Sequence, residues 1–164
     1  MRERHLRAEC FLPLPQETVF PFFADAANLE ALTPEFLRFS IVSPQPIAME
    51  VGTLIDYRIR VHGLPMRWRT RIAAWEPPHR FVDEQLRGPY RQWIHEHRFE
   101  AVPGGTRVLD HVRYVVPGGP LAPLLHALFV KRDLRRIFTW RAQRLGALLL
   151  GATHAPLAGS LALS

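Results

Sequence analysis

The sequence predicts an α+β protein in which an antiparallel sheet of seven strands is combined with one long C-terminal helix. Polar and apolar residues alternate through most of 38–116, and this period of two is typical of half-buried strands. The connections between these stretches are short, so neighbouring strands are expected to run antiparallel. One amphipathic stretch over 121–150 follows them and predicts the helix.

The first element is a strand over 5–12, where apolar and polar side chains alternate until Pro13 and Pro15 end the pattern. Residues 16–32 follow with helical periodicity. Pro21 and a polar stretch after it interrupt that periodicity, which predicts two short helices in place of one.

Six further strands are separated by turn sequences rich in glycine and proline. The terminal helix over 121–150 has an apolar stripe on one side, and its basic residues, Arg141 among them, are placed on the other side. The small residues of 151–164 predict a disordered tail. The six strands are expected over 38–43, 53–61, 66–75, 80–86, 91–100 and 106–116.

Length and composition favour one domain over 1–150. The chain has 164 residues, of which 48% are hydrophobic, and such a chain can bury one core. Its single cysteine forms no internal disulfide, so a cytoplasmic location is expected. The N-terminus lacks the apolar core of a signal peptide, and glycine, proline and histidine interrupt the apolar C-terminus, so no membrane span is expected.

This order of elements resembles the helix-grip fold of the START and Bet v 1-like superfamily, which includes the polyketide cyclases. The resemblance covers about residues 4–150 and implies a sheet that curls around the terminal helix, with a ligand held between them. Within it, a bacterial ligand-binding subgroup, sometimes described as cell-division-inhibitor-like, is similar in the second half of the sheet. The segments similar to this subgroup are 83–85, 88–90, 93–99, 104–106 and Asp110, whereas 15–25, 28–29 and 32–34 resemble the usual opening of the superfamily's domains.

Strand parity predicts which side chains face such a ligand. In strand 91–100 the charged residues can only be solvated, so Trp93, His95 and His97 share the concave face. The turns on either side predict the cross-strand neighbours, whose Cβ atoms lie about 5 Å apart. The expected pairs are Asp83 with His95, Gln85 with Trp93, and His97 with Asp110.

These residues support three interpretations. A cavity that binds a hydrophobic small molecule or lipid, with the Asp/His cluster on its floor, is favoured. A cyclase, dehydratase or hydrolase that uses one histidine for acid–base chemistry stays open, as does a structural network without a ligand. The predicted ligand-binding residues are Tyr57, Trp68, Asp83, Gln85, Trp93, His95, His97, Asp110, Tyr114 and Leu128.

No metal or cofactor is expected, because the two histidines and two aspartates are spread over three strands without a compact ligand motif. Cys10 is interpreted as a small buried hydrophobe. The basic terminal helix leaves open a module that docks to acidic partners, but no nucleic-acid-binding motif accompanies it. A homodimer also stays open.

Overall fold

The computed structural model of the protein describes residues 2–164, and it opens with the predicted strand and pair of short helices. The helices are separated at Asp25, whose carboxylate accepts a hydrogen bond of 2.9 Å from the backbone N–H of Ala27 and thereby caps the second helix. The bounds are β1 Arg4–Leu12, α1 Gln16–Ala24 and α2 Ala26–Ala31.

Six strands follow, as predicted, with one large difference in length. The strand expected over 38–43 is limited to Ser40–Ile41, because Arg38 has a left-handed backbone conformation that ends a 3-10 turn over Glu35–Leu37. The bounds are β2 Ser40–Ile41, β3 Leu54–Val61, β4 Leu64–Glu76, β5 Arg80–Arg87, β6 Gln92–Val102 and β7 Gly105–Val115.

The C-terminal helical stretch contains α3 (Ala122–Leu125), a π-helical turn (His126–Val130) and α4 (Lys131–Leu150). On α4, Leu134 and Phe138 are buried in one cluster with residues of β3, β4 and β6. The helix thus supplies part of the core beside the sheet. Within residues 2–164, no helix is long and apolar enough to cross a membrane.

The tail predicted to be disordered contains a strand instead. β8 (Gly159–Leu163) pairs antiparallel with β1, from Leu6 opposite Leu163 to Cys10 opposite Gly159. The prediction of disorder is therefore wrong for this segment, and residues 2–164 form a sheet of eight strands and not seven. The physical reason is that β1 would otherwise be an unpaired edge strand, whose backbone groups β8 satisfies.

The sheet is antiparallel in the order β2-β3-β4-β5-β6-β7-β1-β8 over the described residues. Its two faces follow the predicted parity: Trp68 and Thr70 on β4 are buried, whereas Arg69 and Arg71 are exposed on the convex side. There Arg71 forms an ion pair with Glu84, as expected for a solvated face.

Candidate functional site

A cavity of about 670 Å³ lies between the concave face of the sheet, helices α1 and α2, and the C-terminal helical stretch. Its volume falls within the range of about 300–1,000 Å³ that is usual for small-molecule sites. Most of the side chains that line it are apolar. Those on the sheet include Ile55, Tyr57, Ile59, Met66, Trp68, Ile72, Phe81 and Trp93, and those on the helices include Phe23, Leu29, Leu134, Ile137 and Phe138.

An aromatic wall forms one side of this cavity. Tyr57 and Trp68 stack with ring centroids 5.7 Å apart, and Trp68 meets Trp93 edge to face at 5.6 Å. Their polar groups point at Thr70: the Trp68 Nε1–H donates to Thr70 Oγ1 at 3.1 Å, and the Tyr57 hydroxyl lies 2.8 Å from the same oxygen. The wall therefore presents ring surface to the cavity.

At the end of this wall lie the buried His95 and His97 together with the partly buried Asp83 and Asp110, and we call these four residues the Asp/His cluster. The predicted register is confirmed, since Asp83 pairs with His95 and His97 pairs with Asp110 across the strands. The hydrogen bonds, however, run diagonally: His95 Nε2 donates to Asp110 at 2.8 Å, and His97 Nε2 donates to Asp83 at 3.0 Å.

The remaining ring nitrogens are close to the opposite carboxylates without being hydrogen-bonded to them. His95 Nδ1 is 3.8 Å from Asp83 Oδ2, and His97 Nδ1 is 2.8 Å from Asp110 Oδ1. The His97 contact is misaligned, and among residues 2–164 this buried nitrogen has no hydrogen-bond partner. Each imidazole thus has one nitrogen toward Asp83 and the other toward Asp110.

Both carboxylates are held ionised. Burial by itself would raise the pKa of Asp110, but the Arg141 guanidinium and the two histidines outweigh it and hold that pKa well below its ordinary value. Burial would also raise the pKa of Asp83. The hydrogen bond from His97 and the neighbouring cations outweigh it, so the pKa is lowered. Two partly buried negative charges therefore lie beside the two histidine rings.

The surroundings shift the pKa values of the two histidines in opposite directions. Burial and the neighbouring His97 lower the pKa of His95, and the two carboxylates do not compensate. Burial also opposes protonation of His97, but contacts with Asp110 and Asp83 raise its pKa above the ordinary value. Since the ring centroids are only 3.7 Å apart, one protonated ring disfavours protonation of the other.

Arg141 is a cavity residue that the sequence reasoning placed on the wrong side of the helix. It lies among the lining residues, with its guanidinium 5.7 Å from the ring centre of Phe23 and 6.0 Å from that of Phe138. The helical periodicity could have placed Arg141 on the apolar face. Leu134, Phe138, Arg141 and Leu145 are spaced by four, three and four residues and so share one side of the helix.

Six predicted site residues line the cavity, namely Tyr57, Trp68, Asp83, Trp93, His95 and His97. The other four lie elsewhere. Gln85 bonds to the backbone of Tyr90 and closes the turn after β5, and Asp110 lies behind the two histidine rings. Tyr114 is fully buried with its hydroxyl 2.9 Å from His126 Nε2, and Leu128 is 54% exposed. Their predicted placement in the cavity is thus wrong.

Cys10 is buried, as the sequence predicts. Burial and the nearby Asp110 charge raise the pKa of its thiol to about 12. The thiolate, which is the nucleophilic form, is therefore scarce at neutral pH. Its environment is that of a core residue.

A curved antiparallel sheet, a long C-terminal helix and a cavity between them define a helix-grip protein of the START and Bet v 1-like class. Residues 12–142 match the family described as polyketide cyclase/dehydrase and lipid transport. The chain belongs to this family. No curated protein matches it.

Solved structures share the fold at low sequence identity. TTHA0849 from Thermus thermophilus superposes with a TM-score of 0.66 and 22% identity, covering 92% of this chain and 99% of its own. Ara h 8.0201 superposes with a TM-score of 0.64 and 16% identity, covering 91% of this chain and 99% of its own. The Zhui aromatase/cyclase from a Streptomyces species superposes with a TM-score of 0.64 and 14% identity, covering 90% of this chain and 96% of its own. At these identities the similarity establishes the fold alone.

Proposed function

We propose that the protein binds a hydrophobic small molecule or lipid in the cavity between the sheet and the C-terminal helix. The observation that carries this proposal is the combination of a cavity of about 670 Å³ that is lined mostly by apolar side chains with a polar end formed by Asp83, His95 and His97. Such a site accepts an apolar body and fixes its orientation through a few polar groups. The family description, which names lipid transport as well as cyclase and dehydrase activity, supports a small-molecule ligand.

The polar end is expected to receive an oxygen-bearing group of the ligand. Asp83, His95, His97 and Arg141 all line the cavity there, and both hydrogen-bond donors and acceptors are available among them. The Tyr57 and Trp68 polar atoms do not compete for the ligand, since Thr70 satisfies them. A molecule with one polar end and an apolar remainder of ring or chain fits this distribution.

Binding is favoured over acid–base catalysis by the surroundings of the two histidines. A general base needs a nitrogen free to reach the substrate proton. Here every ring nitrogen of His95 and His97 lies within 4.0 Å of a carboxylate oxygen, so a substrate would have to compete with Asp83 or Asp110 for it. Native mass spectrometry of the freshly purified protein tests the proposal directly, because a bound molecule would add its mass to that of the chain.

A substitution that fills the cavity is expected to weaken binding. Ile59 lines the cavity and is buried, so the indole of Ile59→Trp would occupy part of the ligand volume. We expect the affinity for the fluorescent probe anilinonaphthalene sulfonate to fall by at least about tenfold, which corresponds to about 1.4 kcal/mol of lost binding free energy. Fluorescence titration measures it.

Val51→Trp is the matched control, because Val51 is 64% exposed in the turn before β3 and the same indole is added outside the cavity. Its affinity for the probe should equal that of the unsubstituted protein. Equal affinities in all three proteins, or an equal loss in both variants, would contradict binding in the cavity.

A further inference from the structure

Three potential metal ligands converge at the polar end of the cavity. One donor atom each from Asp83, His95 and His97 lies within 4.8 Å of the others. Two of the three separations are 3.0 Å from Asp83 Oδ2 to His97 Nε2 and 3.8 Å from the same oxygen to His95 Nδ1. The residues come from two neighbouring strands, β5 and β6, so the sheet fixes their backbones relative to one another.

We propose that Asp83, His95 and His97 form a binding site for a divalent transition-metal ion of the Zn²⁺ type. Zinc binds imidazole nitrogen and carboxylate oxygen at about 2.0–2.2 Å, so tetrahedral neighbours lie roughly 3.3–3.5 Å apart. The separations of 3.0 and 3.8 Å bracket this value. The ion replaces the proton that His97 Nε2 shares with Asp83, and both rings keep their present orientation.

Asp110 supplies the outer support that metal-bound histidines usually have. Its Oδ1 atom lies 2.8 Å from His95 Nε2 and 2.8 Å from His97 Nδ1, which are the ring nitrogens directed away from Asp83. A carboxylate behind the ring fixes the tautomer and raises the basicity of the nitrogen that faces the metal. A purely structural pairing of two Asp/His pairs needs no carboxylate shared by both rings.

The position of the site gives it an open side. Asp83, His95 and His97 line the cavity, whereas Asp110 lies behind the rings. Three protein ligands leave at least one coordination position of a zinc-type ion for a water or an added oxygen ligand. This step rests on the proposed function: with the hydrophobic ligand bound, that position faces its polar group. Metal binding itself does not depend on that ligand.

Cobalt titration of the full chain tests the site without any activity assay. Co²⁺ replaces Zn²⁺ in sites of this donor type, and its visible absorption reports coordination by protein ligands. We expect saturable binding of one ion per chain, displaced by added Zn²⁺. Asp83→Asn should weaken binding at least about tenfold, and Asp110→Asn by roughly 10–100-fold through the loss of outer support.

The control is the double variant His5→Gln/His111→Gln. These two histidines form another close pair, with 3.1 Å between His5 Nδ1 and His111 Nε2, but they lie outside the cavity. The control should bind Co²⁺ like the unsubstituted protein. Circular dichroism shows whether each variant folds. Should Asp83→Asn fail to fold, Co²⁺-induced paramagnetic shifts in the unsubstituted protein must appear on the His95 and His97 ring protons.

The proposal is overturned if the unsubstituted protein shows no Co²⁺ spectrum. It is also overturned if folded Asp83→Asn retains full affinity, or if the paramagnetic shifts fall on His5 and His111. If Ile59→Trp binds the fluorescent probe as tightly as the unsubstituted protein, in contrast, that result contradicts the proposal of a hydrophobic ligand in the cavity. The evidence for metal binding is unaffected by it. The two proposals therefore fail separately.

Discussion

Replacing His95 with leucine is expected to lower the free energy of unfolding by about 3 kcal/mol. His95 is 5% exposed, and its Nε2–H donates to Asp110 at 2.8 Å. Leucine has a similar size but no donor, so the partly buried Asp110 carboxylate loses its aligned partner while its charge remains. Urea unfolding followed by circular dichroism measures the change, provided that the slope with denaturant is unaltered.

A second substitution separates the loss of a charge partner from simple misfit of leucine. Asp110→Leu by itself should destabilise the protein, because it leaves the buried Nε2–H of His95 without its acceptor. Added to His95→Leu, the same change removes the stranded charge and should restore at least about 1 kcal/mol. A double variant less stable than His95→Leu would show that packing, and not the charge, dominates. His111→Leu, outside the cluster, should change stability by only about 0.5 kcal/mol.

Most of the fold could be predicted because the sheet is long and its pattern regular. Over residues 66–72 of β4, arginines alternate with Met66, Trp68, Thr70 and Ile72, so the inward face could be assigned from sequence alone. The short turns on both sides of β6 also determined its register correctly. The eighth strand could not be predicted in this way, because five residues with two leucines give too short a pattern. Its existence depends on an unpaired edge of β1, which is a tertiary property.

The candidate site could be predicted to the level of the strand face but not of the individual bond. Parity and register correctly placed Asp83, His95, His97 and Asp110 together. They could not predict that the hydrogen bonds run to the diagonal neighbours, since ring orientation depends on side-chain rotamers and on the twist of the sheet. The shared position of Asp110 behind both rings follows from that orientation. It is therefore visible only in the structure.

Removal of residues 152–164 is expected to lower the free energy of unfolding by about 2–3 kcal/mol, and the melting temperature by roughly 5–10 °C. The deletion removes β8, which pairs with β1 over five residues and continues through hydrogen bonds between His5 and Ser164. Leu161 and Leu163 also lose their packing against the core. Differential scanning calorimetry measures the shift.

Two point variants test the same strand without shortening the chain. Leu161 is half-buried against the core, whereas Ala162 points outward and is exposed. Leu161→Asp should therefore lower the melting temperature, as the deletion does. Ala162→Asp should leave it nearly unchanged, because it adds the same charge to the solvated face.

The deletion should also expose the edge of β1 and promote association, which light scattering detects. A truncated protein that melts like the full chain and stays dispersed would mean that β8 does not stabilise the fold.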